Sequence, residues 1–211
     1  MREQELIRRL RKFYGPRSFF SAQNDPFKIL LSTILSQRTR DSNTREAEER
    51  LFSRYPTASS LAKAPTKEIE RLIKSTGFYR AKARHIKEVA KVIIQRFGGK
   101  VPSDRESLLT LPGVGPKTAN CVLVYAFKKP AIPVDVHVHR VANRLGWVRT
   151  KTPEKTEEAL CSLLPRSLWI ELNELFVTHG RRTCLPRNPR CSKCPVEDLC
   201  EKRVGKSEKE V

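Results

Sequence analysis

Apolar positions in this chain recur at the three-to-four-residue spacing of a helix face. Leu6, Ile7, Leu10 and Phe13 fall on one side of a helix predicted over 2–13, with Arg and Lys on the other. Asp25-Pro26, a cap followed by a first-position proline, opens a second helix. It runs nearly all apolar from Phe27 to Leu35 and reads as the centre of a bundle. A third, from Thr39 to Tyr55, is polar enough to be solvated. Short helices over 58–63 and 66–75 precede a long one over 80–97, where Ile86, Val89, Ala90, Ile93, Ile94 and Phe97 make a core face. More helices are expected over 116–127, 138–145, 153–164 and 167–178; Thr152-Pro153 opens the third of these as Asp25-Pro26 opens its own. The Val/Ile stretch at 132–138 reads as a connector, and 201–211 as a charged, frayed end. No strand run or internal repeat competes, so the fold class is all-α.

One stretch interrupts this pattern with chemistry. Leu111-Pro112-Gly113-Val114-Gly115-Pro116-Lys117 lies between a short helix, read as opened by a capping box Ser103-x-x-Glu106, and the helix that Pro116 begins. Helix, tight glycine hairpin, helix is the result. Gly113 and Gly115 allow close approach of another surface, and the new helix start offers unpaired N–H groups suited to phosphate. Lys117 puts a cation in the first turn, against the helix macrodipole, at a cost of about 0.3–1 kcal/mol. Two roles suit it: a phosphate contact, or an amine nucleophile. Asp135, a carboxylate inside the apolar run Ile132-Pro133-Val134-Asp135-Val136, favours the second. An amine and a carboxylate meeting in a cleft make a glycosidic-bond site.

Charge supplies the partner. Lys and Arg number 42 against 23 Asp and Glu, a formal charge of +19. Such an excess predicts a polyanion, nucleic acid ahead of an anionic membrane. A ribosomal or chromatin-like protein fits the charge equally but leaves the hairpin and the cysteines unexplained. No apolar run is long enough to span a bilayer, and Met1 to Glu5 lack the core of a secretory leader. A soluble, intracellular protein is expected, cytoplasmic or nucleoid-associated in a prokaryote. Without a heptad seam or a large unpaired apolar face, a monomer is expected.

Six cysteines in such a chain favour metal ligation over disulfides. Cys184, Cys191, Cys194 and Cys200 stand at C-x6-C-x2-C-x5-C, close enough to chelate one centre. Spacing alone admits zinc or an iron–sulfur cluster, although zinc sites usually carry two close pairs. Cys121 and Cys161 sit on apolar helix faces and read as small buried hydrophobes.

LPGVGPKTAN, followed by VDVHVHR and the four cysteines, resembles the endonuclease III family from about Pro26 to Cys200. These are helix-hairpin-helix DNA glycosylases that carry an iron–sulfur cluster. The resemblance implies a six-helix domain over 25–132 and a second domain from 1–24 and 133–211, with the cluster loop at 184–200. DNA would bind across the cleft between them, Lys117 and Asp135 facing it from opposite sides. The cofactor implied is a [4Fe–4S] cluster, and the partner double-stranded DNA with a damaged base or abasic site. It further implies a bifunctional glycosylase and abasic-site lyase: Lys117 attacks C1′, a Schiff base forms, and β-elimination nicks the strand. Oxidised or saturated pyrimidines such as thymine glycol are the implied substrates. A monofunctional mismatch glycosylase of the same superfamily, or a non-catalytic DNA-binding protein with zinc, are the alternatives; Lys117 speaks against the first.

The resemblance also assigns DNA contacts. Arg187 and Arg190, with Lys193, would be presented to phosphate by the cluster loop. In Thr76-Gly77-Phe78-Tyr79-Arg80-Ala81-Lys82, an aromatic pair on a glycine-opened loop is followed by cations, and Phe78 is the implied wedge between base steps. The other reading of Phe78 is a helix-end aromatic packed in the core. A second family segment, L-S-x-Q-T-x-D, fills the gap left by the flipped base with glutamine. Here Leu35-Ser36-Gln37-Arg38-Thr39-Arg40-Asp41 puts Arg38, not Gln37, at that position, so either can be the gap filler. Asp41 suits a helix cap as well as a substrate contact. His137 is a site candidate; His139 has no role from sequence.

Overall fold

The computed structural model describes residues 2–15 and 25–202, so most of the expected frayed end and the expected boundary at 24 lie outside the described residues. Among the described residues there is no strand. The helices are α1 (Arg2–Tyr14), α2 (Pro26–Ser36), α3 (Asp41–Arg54), α4 (Ala58–Lys63), α5 (Thr66–Leu72), α6 (Tyr79–Phe97), α7 (Arg105–Leu109), α8 (Pro116–Phe127), α9 (Val136–Leu145), α10 (Pro153–Leu163) and α11 (Trp169–Arg182). The chain forms two compact units: Ala22–Lys129, and Met1–Ser21 with Pro130–Val211.

The first unit is built around α2. Asp25 caps it, its Oδ1 accepting from Phe27 N at 2.9 Å, and Pro26 takes the first position. Each side chain from Ile29 to Leu35 is buried. Helices α3, α6 and α8 pack on it, and α6 also carries α4 and α5. Among the described residues this unit holds the seven helices α2–α8.

The second unit packs α9 against α11, with α1 and α10 added. Its core runs from Leu6, Ile7 and Leu10 through Val138, Val141 and Leu145 to Leu172 and Phe176.

Several expectations are corrected. No capping box opens α7: Asp104, not Ser103, is the cap, accepting from Ser107 N at 2.8 Å. Ser103 instead receives the Lys129 ammonium at its Oγ, 3.0 Å away. The third helix begins at Asp41, because Arg38 turns the chain with φ +49°. Asp41 is its first residue, and Arg40 occupies the cap without a side-chain bond. The helix from 66 stops at Leu72, α9 begins two residues early at Val136, and α11 runs on to Arg182. Phe13 is 58% exposed, the buried aromatic being its neighbour Tyr14, and Ile94 is 39% exposed at the edge of its helix face.

Candidate functional site

The hairpin is a short turn between α7 and α8. Val114 N donates to Leu111 O at 3.1 Å, and Gly113 has φ +75°, a conformation that disfavours side chains. A Cβ on Gly113 would stand 2.8 Å from His85 Nδ1 of α6. Gly115 differs. It caps α8 in an extended conformation, and a Cβ there would meet nothing within 4 Å. Gly113 is thus glycine for the fold, whereas Gly115 leaves an open face beside unpaired N–H groups. Gly113→Ala is therefore expected to cost about 1–3 kcal/mol in denaturant unfolding. Gly115→Ala is expected to change stability by less than about 1 kcal/mol while weakening duplex binding in a titration.

Lys117 is the second residue of α8, partly buried. Within its unit no described residue accepts a hydrogen bond or ion pair from its amine. The Gln37 amide donates to Gly113 O at 3.1 Å and Thr118 Oγ1 at 3.2 Å, so Gln37 braces the hairpin from the α2–α3 turn. Arg38 is free of that task. It is exposed, and its guanidinium lies 5.7 Å from the Phe78 ring centroid. Phe78 is 66% exposed and caps α6 with φ +58°, which excludes the packed-core reading. Tyr79 is partly buried under Arg80.

Lys82, one of the cations that follow this aromatic pair in sequence, is buried, 4% exposed. Its Nζ donates to Leu35 O at 2.7 Å, Gln37 O at 2.6 Å and Thr39 Oγ1 at 2.8 Å. The signal was available, since Lys82 stands in register with the buried stripe Ile86, Val89 and Ile93.

In the second unit, Asp135 is the cap of α9. Its Oδ1 accepts from His137 N and Val138 N, both at 2.9 Å, while Oδ2 has no hydrogen-bond partner among the described residues of its unit. His137 sits over Gly180 of α11, where a Cβ would come within 3.1 Å of its ring, and Arg140 Nη2 lies 3.3 Å from His137 Nδ1. His139 gains a structural account. Its Nδ1 lies 2.6 Å from Thr156 Oγ1, joining α9 to α10, and burial lowers its pKa below the ordinary value.

Cys184, Cys191, Cys194 and Cys200 line one cavity with Arg144 and His179. Among the described residues no three His, Cys, Asp or Glu side chains gather tightly enough for a single metal ion. Burial pushes the Cys194 thiol up to about 11. Sequence reasoning missed two arginines that fix this loop. Arg144, 3% exposed, donates to Leu185 O at 2.6 Å and Pro186 O at 2.8 Å, and approaches Cys184 Sγ at 3.6 Å. Arg140 donates to Gly180 O at 2.8 Å and Cys184 O at 3.0 Å. Both project from the helix that Asp135 caps. Arg187, Arg190 and Lys193 are exposed on the loop. Cys121 is buried, and Cys161 packs on the second unit's core.

These features define a class. Residues 31–166 match the HhH-GPD superfamily of base excision DNA repair proteins, and 184–200 match the iron-sulfur binding domain of endonuclease III. The chain is 51% identical over 207 residues to endonuclease III of Thermotoga maritima, covering 97% of this chain and 96% of that one. The solved structure of a trapped endonuclease III–DNA covalent intermediate has a TM-score of 0.88 at 34% identity, with 96% of each chain covered. A thermostable thymine-DNA glycosylase has a TM-score of 0.84 at 30% identity, covering 95% of this chain and 96% of that one. The chain belongs to the endonuclease III family. It is a base excision DNA glycosylase with abasic-site lyase activity, it carries an iron–sulfur cluster on its 184–200 loop, and its partner is DNA. No helix among the described residues is long and apolar enough to cross a membrane.

Loss of the cluster is expected to disturb the second unit's core. Val196, between the last two cysteines, is fully buried there, and Cys184, Cys194, Leu199 and Cys200 pack beside it. Cys194→Ser should lose the cluster's visible absorbance near ~400 nm and lower the thermal midpoint. Unchanged absorbance would remove Cys194 from the ligand set.

Proposed function

We propose that this chain removes oxidised or saturated pyrimidines of the thymine glycol type from duplex DNA, with Lys117 as nucleophile and Asp135 as its acid–base partner. The observation that carries the reading is an amine at the start of α8, directly after the glycine hairpin, with no partner within its unit to hold it. The hairpin's open face at Gly115 and the exposed arginines of the 184–200 loop hold phosphate. The unprotonated Lys117 amine attacks C1′ of the flipped nucleotide, and the glycosidic bond breaks with its electron pair leaving on the base. Asp135, through the oxygen its capping bonds leave open, takes the proton released from nitrogen and stabilises positive charge on the sugar. Ring opening gives a Schiff base between Lys117 and C1′. Loss of a C2′ proton then expels the 3′ phosphate, and hydrolysis frees the lysine.

The cluster is read as [4Fe–4S], supported by four thiols around one cavity; about four irons and four labile sulfides per chain test it. When bound, it supplies the charge that holds the four thiolates and orders the loop.

The function is tested with duplexes carrying thymine glycol, a thymine–guanine mismatch or an abasic site. Base release with a 3′ nick at thymine glycol supports the proposal. Release of mismatched thymine without a nick would favour the monofunctional reading, which the thymine-DNA glycosylase neighbour keeps in view.

A further inference from the structure

Arg38 and Phe78 stand about forty residues apart in sequence, yet they meet at the surface of the first unit with unusual backbones. Both are non-glycine residues in the left-handed region, with φ +49° and +58°. Each such residue is held against its preference, which requires surrounding structure to enforce it. The enforcing contacts converge on Lys82. Its ammonium has three hydrogens and, within hydrogen-bond distance, three acceptors: the Leu35 carbonyl at the end of α2, the Gln37 carbonyl next to Arg38, and Thr39 Oγ1. Thr39 Oγ1 in turn donates to Gln37 O at 3.1 Å and accepts from Gly77 N at 3.1 Å, beside Phe78. Gly77 closes the assembly: a Cβ there would stand 2.8 Å from Arg38 O. A neutral amine, with one hydrogen fewer, would leave an acceptor unmet.

We propose that Lys82 is a positioning residue for DNA opening, locking the 35–39 turn and the Gly77-Phe78 loop together so that Arg38 and Phe78 enter the duplex as one pre-formed wedge. The inference rests on the reading that these two residues are the ones that enter DNA. Pre-forming the pair removes the ordering cost of two exposed side chains and two loops from the opening step. It leaves binding to intact duplex, where nothing is inserted, nearly untouched.

The experiment measures affinity for a duplex with a tetrahydrofuran abasic analogue and for the same duplex undamaged, and takes the ratio. Lys82→Met is expected to lower that ratio about 10-fold, and Thr39→Val to lower it in the same direction by less. In an Arg38→Ala/Phe78→Ala background, neither substitution should lower it further. Thermal melts accompany each variant, and Thr39→Val carries the comparison alone if Lys82→Met does not fold. An unchanged ratio in Lys82→Met and Thr39→Val overturns the proposal, as does an equal additional loss in the double-alanine background. If Arg38→Ala/Phe78→Ala itself leaves the ratio unchanged, the wedge reading falls first and the role of Lys82 with it.

Discussion

Lys117→Gln is expected to abolish strand nicking at abasic sites and to slow base release by at least about 10³-fold. Glutamine keeps the length and polarity of the side chain but has no amine to join C1′. The fold should not notice. Lys117 holds no partner within its unit, and glutamine relieves a cation at a helix start, where the macrodipole disfavours it by about 0.3–1 kcal/mol. The variant should therefore melt at or slightly above the parent temperature and still bind damaged duplex. Strand nicking retained in the variant would move the nucleophile to another residue.

The second large effect is expected at Asp135, where two jobs separate. Its Oδ1 caps α9 through two backbone N–H groups, and its other oxygen accepts no hydrogen bond among the described residues of its unit. Asparagine caps a helix as well as aspartate does, so Asp135→Asn should keep the melting temperature while lowering turnover by about 10²–10⁴-fold. Asp135→Ala should lose turnover similarly and also about 1 kcal/mol of stability. Asp135→Asn with full activity would leave the residue a cap and nothing more.

The helices were largely legible because their apolar faces and caps are local. Asp25-Pro26 and Thr152-Pro153 marked helix starts to the residue. The capping-box pattern pointed to Ser103, whereas the fold makes Asp104 the cap and gives the Ser103 hydroxyl to Lys129, a contact 26 residues away that sequence does not show. Left-handed turns were also invisible, since neither Arg38 nor Phe78 is a residue type that announces one. At the candidate site, Lys117, Asp135 and the four cysteines could be picked out by motif. Their supports could not. Lys82, Arg140 and Arg144 act through carbonyls far away in the chain, and only the fold brings those carbonyls to them.

The proposed lysine chemistry is tested most directly by borohydride trapping. The protein is incubated with duplex DNA containing thymine glycol, reduced during the reaction, and digested so that the cross-linked peptide can be sequenced by mass spectrometry. A covalent adduct carried by Lys117 and absent from Lys117→Gln is expected. An adduct on another residue, or clean base release with no adduct, would rule out Lys117 as the nucleophile.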